Sequence, residues 1–340
     1  MVTLQTANGF DLTGSFNPDQ VTKIRFEATT SKLQANGGVS FMRHFDFTGQ
    51  RGTVHIAGGV LELQGTSALS RSNADFLIGD TFYVYNMSAV VQLRDGAGIT
   101  VASGATMVVE TSPDVTIFDT LNSGAILENH GTFSYIGSAG TTTTFAMPFL
   151  NHGQATFDTG NFVFDRSGTA TSNYGIMMDG GSIILKNGID LRAKNGYYQT
   201  GGTLSTADTV AATITLLGTQ NTAQINGGLI TLGGANAYGK LTFTGGTAPT
   251  LNFNGGRFDA EINGQTSNQQ DQLVCSGNIN VQGNSTLVVT SVGAVAQLKT
   301  WRIMIAQSGN GFNDFANKTL PGGVTTNGAQ LTRGFYQLDS

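Results

Sequence analysis

Gly180-Gly181-Ser182-Ile183-Ile184-Leu185 returns in altered form as Gly201-Gly202-Thr203-Leu204-Ser205, as Gly227-Gly228-Leu229-Ile230-Thr231-Leu232 and as Gly255-Gly256-Arg257-Phe258-Asp259-Ala260-Glu261-Ile262. The glycine pairs stand 21, 26 and 28 residues apart. Each copy is a corner followed by a short run of β-branched or aromatic residues, the pattern of a strand bounded by turns. Glycine and asparagine supply the positive φ that a sharp corner requires. Gly58-Gly59-Val60-Leu61-Glu62-Leu63-Gln64-Gly65 has the same form. A second echo sets Asn129-His130-Gly131-Thr132-Phe133 against Asn151-His152-Gly153-Gln154-Ala155-Thr156-Phe157, 22 residues later. A β-sandwich also shows turns every ~8–12 residues, so strand spacing alone does not choose. The longer, irregular echo of roughly 20–30 residues does, and it predicts a solenoid.

Composition agrees with an all-β body. Gly is 47 of 340 residues and Pro only 5, while charged residues make up 11%. The charge is less than half the usual ~25%, which leaves few of the Glu and Lys side chains that favour helical surfaces. Low charge suits a parallel β-helix, because like charges stacked on successive coils repel, whereas Thr, Ser and Asn do not. Stacked Asn at corners can form amide ladders. Scarce Pro and the lack of a three-residue Gly period exclude collagen. With about 23 residues per coil, the spacing of paired strands predicts about fourteen coils and a rod near ~65 Å. Residues 1–35 carry more charge and read as an N-terminal cap, 36–270 as solenoid coils, and 271–340 as closing coils with a C-terminal cap, all one continuous domain.

The net charge is -5 and no basic run exists, which argues against a nucleic-acid partner. The one cysteine, Cys275, precludes an intrachain disulfide framework and reads as a small apolar residue inside a strand. No apolar stretch approaches the ~20 residues of a membrane span, so direct membrane insertion is not expected. Met1-Val2-Thr3-Leu4-Gln5 has neither a basic n-region nor an apolar h-region, so the chain is expected to be a mature or trimmed piece of a longer precursor.

The stretch Asp271-Gln272-Leu273-Val274-Cys275-Ser276-Gly277, continuing through Gly283-Asn284-Ser285-Thr286-Leu287-Val288-Val289, resembles the closing coils of autotransporter passenger domains and related bacterial surface proteins. There an Asp-x-Leu-x-x-x-Gly entry leads into a Gly-x-x-Leu strand. Trp301-Arg302-Ile303-Met304-Ile305-Ala306, Gly311-Phe312 and Leu320-Pro321-Gly322-Gly323 are similar to the elements that follow. The resemblance is close over residues 271–340 and stylistic elsewhere. It implies a secreted right-handed parallel β-helix displayed on, or shed from, a bacterial surface. The sequence departs from the family pattern in showing neither the export signal nor the C-terminal membrane barrel, so it is expected to be either trimmed or a barrel-less relative anchored differently, which leaves anchoring open.

Chemistry-bearing residues are sparse. His130 and His152 share an Asn-His-Gly context one coil apart. Two stacked imidazoles can bind a metal or sense pH, but with no Cys or further His beside them they read as a repeated corner residue, and no metal or cofactor is expected. Asp158 and Asp179, 21 residues apart, with Asp165 or Asp190, can be imagined as a glycosidase acid–base pair or as Ca²⁺ ligands. Asp158, Asp179 and Asp208 nevertheless sit beside Gly or Thr as turn formers do. A lyase base would have to come from Arg166, Lys186, Arg192 or Lys194. Tyr197 and Tyr198 point to opposite faces of a strand, so one ring is expected outside, able to stack on a sugar; Tyr83 and Tyr85 share a face. Phe41, Phe45, Phe47, Phe162 and Phe164 read as core. Thr141–Thr144 reads as a loop.

The function expected on these grounds is a non-catalytic extracellular or cell-surface β-solenoid. Its role would be structural or adhesive, with copies of itself as partners in end-to-end or lateral assembly and surface glycans as further partners. The alternative is a glycan-binding or polysaccharide-cleaving β-helix, of lyase or tailspike type, with Tyr197, Tyr198, Asp158 and Asp179 as candidate ligand-binding residues. A trimeric phage fibre is a third reading, disfavoured because no heptad segment sets a trimer.

Overall fold

The chain was analysed as a computed structural model. It describes the backbone of the strands named below up to Leu121, side chains at 99, 101, 103–104, 106–110 and 114, and the chain over 126–165, 174–207, 209, 211–308, 313–326 and 334–340. Among these residues there is no helix, and hence none long and apolar enough to cross a membrane. The fold is an all-β parallel β-solenoid. Its chain divides into two compact units, Met1–Ala155 with Gly160–Gly175, and Thr156–Thr159 with Ile176–Ser340.

From Asp75 onward each coil of the first unit lays down three strands, and each strand pairs in parallel with its equivalent one coil away. The first ladder runs His44–Asp46, Asp75–Ile78, Ile99–Val101, Leu127–Asn129, Phe149–Asn151. Thr81–Tyr85, Thr106–Glu110 and Thr132–Ile136 form the second. Ile24–Arg25, Val60–Gln64, Val90–Arg94, Val115–Leu121, Thr142–Phe145 and Asn161–Phe164 form the third. Gln5–Thr6, Gln34–Ala35 and Val39–Ser40 make a separate small sheet. Apart from its three short strands, the expected N-terminal cap over 1–35 lies outside the described residues.

Aromatic rings fill the end of this unit. Phe149 and Phe164 stack at 4.9 Å and 4°, Phe162 meets Phe145 edge-on at 4.8 Å, and Tyr135 meets Phe162 at 4.5 Å. All five are fully buried. Each such ring contributes roughly 1.5–3 kcal/mol by leaving water, which helps a disulfide-free chain offset its ordering entropy. Thr142–Phe145 belongs to this packing, which corrects the reading of Thr141–Thr144 as a loop. Thr143 points inward, fully buried, with its hydroxyl 3.1 Å from that of Tyr135. Threonine's branched Cβ favours the extended backbone, and one inward hydroxyl is tolerated because Tyr135 satisfies it. Phe41, Phe45 and Phe47 have side chains outside the described residues.

In the second unit the first ladder is Ile176–Met178, Tyr197–Gln199, Thr222–Ile225, Thr250–Phe253, Asn278–Val281. The second is Ser182–Lys186, Thr203–Thr206, Leu229–Thr231, Arg257–Asn263, Thr286–Val292, Asn317–Thr319. The third is Asp190–Lys194, Ala211–Leu217, Lys240–Gly245, Gln272–Cys275, Thr300–Ala306. Parallel order then ends: Phe335–Asp339 pairs antiparallel with Thr300–Ala306 and with Thr325–Thr326.

Ser182 faces Thr203, Thr203 faces Leu229, and Leu229 faces Arg257. These offsets are those of the Gly-Gly echo, so the glycine corners set the register. The reason is contact. A Cβ on Gly201 would lie 2.1 Å from the carbonyl oxygen of Asp179, and one on Gly202 2.4 Å from that of Gly180. Gly181, Gly202 and Gly228 also take φ of 60°, 68° and 76°, the region that disfavours residues with a Cβ. Inside, like stacks on like: Leu191, Ile214, Phe243, Cys275 and Ala306 form one fully or almost fully buried column.

Candidate functional site

The Asn-His-Gly echo builds a corner in the first unit where each residue type has a separate task. Asn129 faces Asn151 across the first ladder, and both are fully buried. Asn129 donates from Nδ2 to Asn151 Oδ1 at 2.8 Å and to the Gln154 carbonyl at 3.0 Å, and Asn151 donates to the Gly153 carbonyl at 2.9 Å. This is the expected amide ladder, turned inward. Gly153 allows the two corners to close up, since a Cβ there would lie 2.2 Å from the Gly131 carbonyl oxygen. The next coil is fastened by the His152 and Gly153 N–H groups, which donate to the Asn129 carbonyl, and by Gln154 N–H, which donates to that of Gly131.

With Asn inward, the residues on either side of it face out. Glu128 and His130 are therefore neighbours on one face, and His152 lies over His130. The imidazoles stack with centroids 4.4 Å apart and 11° between planes. Glu128 Oε1 is 3.0 Å from His130 Nε2 and 3.3 Å from His152 Nε2, and the donor atoms of the three residues all lie within 4.8 Å of one another. The sequence reading found the histidine pair and overlooked Glu128. The signal was there in Glu128-Asn129-His130, because residues two apart on a strand share a face. His44 and His55 have side chains outside the described residues.

The other residues singled out from sequence do not converge. Tyr197 is fully buried, donating its hydroxyl to Gln199 Oε1 at 3.0 Å, and burial drives its phenol pKa far upward. It is a core residue. Tyr198 points outward, half-buried, and its hydroxyl receives an N–H from Asn226 at 3.3 Å. Asp158 ends the strand Gln154–Asp158 and accepts hydrogen bonds from Thr159 and Asn187. Asp179 follows Ile176–Met178 at a different corner, exposed. Asp190 pairs with Arg192 at 2.7 Å and accepts from Thr215 at 2.6 Å. These carboxylates are employed in turns and local pairs. Arg166, Asp208 and the side chains of Tyr83 and Tyr85 lie outside the described residues.

Asp271, at the head of the Asp-x-Leu segment, is 1% exposed. One oxygen accepts the Gly239 N–H and the other the Glu261 N–H, each at 2.8 Å. Burial pushes its carboxyl up to about 7, the two N–H groups pulling against that and the Glu261 charge adding to it. Burial also raises the Glu261 carboxyl, against N–H donors from Asn236 and Ala237. Asp271 thus ties the loop before Lys240–Gly245 to the strand Arg257–Asn263. The one tryptophan, Trp301, is fully buried and donates its indole N–H to the carbonyls of Asn263 and Thr266 at 3.0 Å each.

No protein-family model, no curated protein and no solved structure matches the chain.

Proposed function

We propose that the chain is a non-catalytic β-solenoid of a bacterial cell surface, of the autotransporter-passenger kind, that adheres through its lateral face. One observation carries this reading: an outward polar ladder on the first sheet of the second unit. Tyr198, Gln224, Asn252 and Asn280 occupy one line of the register. Asn280 donates to Asn252 at 2.9 Å, while Asn254 donates to Gln224 and to Asn226 at 2.9 Å. Such a surface offers repeated amide donors and acceptors beside one aromatic ring, a combination suited to sugar hydroxyls and a pyranose face. The Asp271 tie and buried Trp301 give physical roles to the segment that resembles autotransporter closing coils.

The end of the second ladder favours lateral over end-to-end contact. Asn317–Thr319 is short, exposed at each of its residues and carries Lys318, features by which natural edge strands resist pairing. Negative-stain electron microscopy with light scattering on the purified chain tests the reading, together with binding to a panel of surface polysaccharides and an assay for new reducing ends. Discrete particles that bind a polysaccharide without cleaving it are expected, with binding weakened in Tyr198→Ala. Ordered fibres would replace adhesion by a structural polymer, and released oligosaccharide would replace it by an enzyme.

A further inference from the structure

We infer that Glu128, His130 and His152 form a binding site for a divalent first-row transition ion of the Zn²⁺ class. The inference stands independently of the adhesive reading, since the site is on the first unit and its geometry is its own.

The donor set is the first argument. Two imidazole nitrogens and one carboxylate oxygen are ligands that Zn²⁺, Cu²⁺ and Ni²⁺ accept readily, whereas Ca²⁺ and Mg²⁺ prefer all-oxygen sites. Spacing is the second. With metal–ligand bonds of roughly 2.0–2.1 Å, a tetrahedral ion holds its ligand atoms about 3.3 Å apart. The two nitrogen–oxygen separations are 3.0 and 3.3 Å. Only the two imidazoles must tip toward each other, and the His130 side chain is 42% exposed, with room to move.

Preorganisation is the third. The backbone beneath the donors is fixed by the buried Asn129–Asn151 amide pair and by the close contact at Gly153. Binding therefore orders few groups that are not already ordered, and the ordering cost is correspondingly small. Three protein ligands leave a fourth position for water or for a donor from another molecule. Because all three side chains are partly exposed, with 42%, 25% and 26% of the His130, His152 and Glu128 side chains accessible, that position faces solvent.

The test is isothermal titration of Zn²⁺ into the untagged full chain, repeated with Ca²⁺ and Mg²⁺, and with Co²⁺ followed by its visible absorption. One Zn²⁺ per chain is expected, with no Ca²⁺ or Mg²⁺ heat and a Co²⁺ spectrum of low coordination number. His130→Ala and Glu128→Gln should each weaken Zn²⁺ by at least about 100-fold, the upper range for loss of even an outer-sphere partner. Both positions are on the surface, and the thermal transition measured without metal should stay where it was, so loss of binding is not loss of fold. His152→Ala supplies the third arm. Zn²⁺ affinity unchanged in His130→Ala, or a chain that binds no Zn²⁺ at micromolar concentration, overturns the assignment. Binding that survives in the His130→Ala/His152→Ala double variant places the ion elsewhere and overturns it equally.

Discussion

Asp271 shows how a single side chain makes stability depend on pH. Its folded-state carboxyl titrates near 7, against an unfolded value of about 3.9. A raised carboxyl gives stability that is complete below the unfolded value and is lost as pH climbs through the folded one. Between pH 4 and 7 the folded state should therefore lose up to about 4 kcal/mol from this group, at ~1.4 kcal/mol per unit. Urea unfolding at pH 4.5 and 7 measures it. Asp271→Asn should flatten that part of the slope, and an unchanged slope would show that the two N–H donors hold the carboxylate ionised throughout. Gly153→Ala acts by sterics instead. Its new Cβ would meet the Gly131 carbonyl oxygen, so a loss of about 1–3 kcal/mol, typical of overpacking, is expected in thermal unfolding.

For whole elements the quantity that matters is register. Asn129→Leu keeps the inward size but leaves Asn151 Oδ1 and the Gln154 carbonyl without their donor. Loss of these two buried hydrogen bonds should cost about 1–3 kcal/mol, read as a lower urea midpoint. At the edge strand Asn317–Thr319, Lys318 is held by Asp314. Lys318→Val removes the charge that discourages pairing, and light scattering should then show more association than for the parent chain. Much of this was legible in the sequence. The Gly-Gly and Asn-His-Gly echoes carry the register because only glycine fits where one corner touches the next. Tyr197 and Tyr198 divided inward and outward as strand alternation requires. What escaped was combinatorial: Glu128 joins His152 only once the coil closes, and no linear spacing says which residue lies over which. Thr142–Phe145 escaped because a polar run hides a strand whose inward hydroxyl is satisfied by Tyr135 from the neighbouring ladder.

At the scale of the whole molecule, Trp301 is a local reporter, being the one tryptophan and fully buried in the second unit. Its emission should shift to the red with unfolding of that unit, while far-ultraviolet circular dichroism follows the β structure of both. Coincident curves are expected for a single cooperative transition, and separated curves mean that the two units melt independently. The coils also divide their labour between corners. From first to second strand the second unit spends three residues in four coils, 179–181, 200–202, 226–228 and 254–256, and four in the next, 282–285. From second to third it spends 187–189, then 207–210, then 232–239, 264–271 and 293–299. One corner is a fixed hinge pin and another is elastic. New sequence spliced in around the exposed Ala235 would therefore ride outward as an excursion while the stack beneath kept its step, which makes that position a natural port for displaying foreign loops.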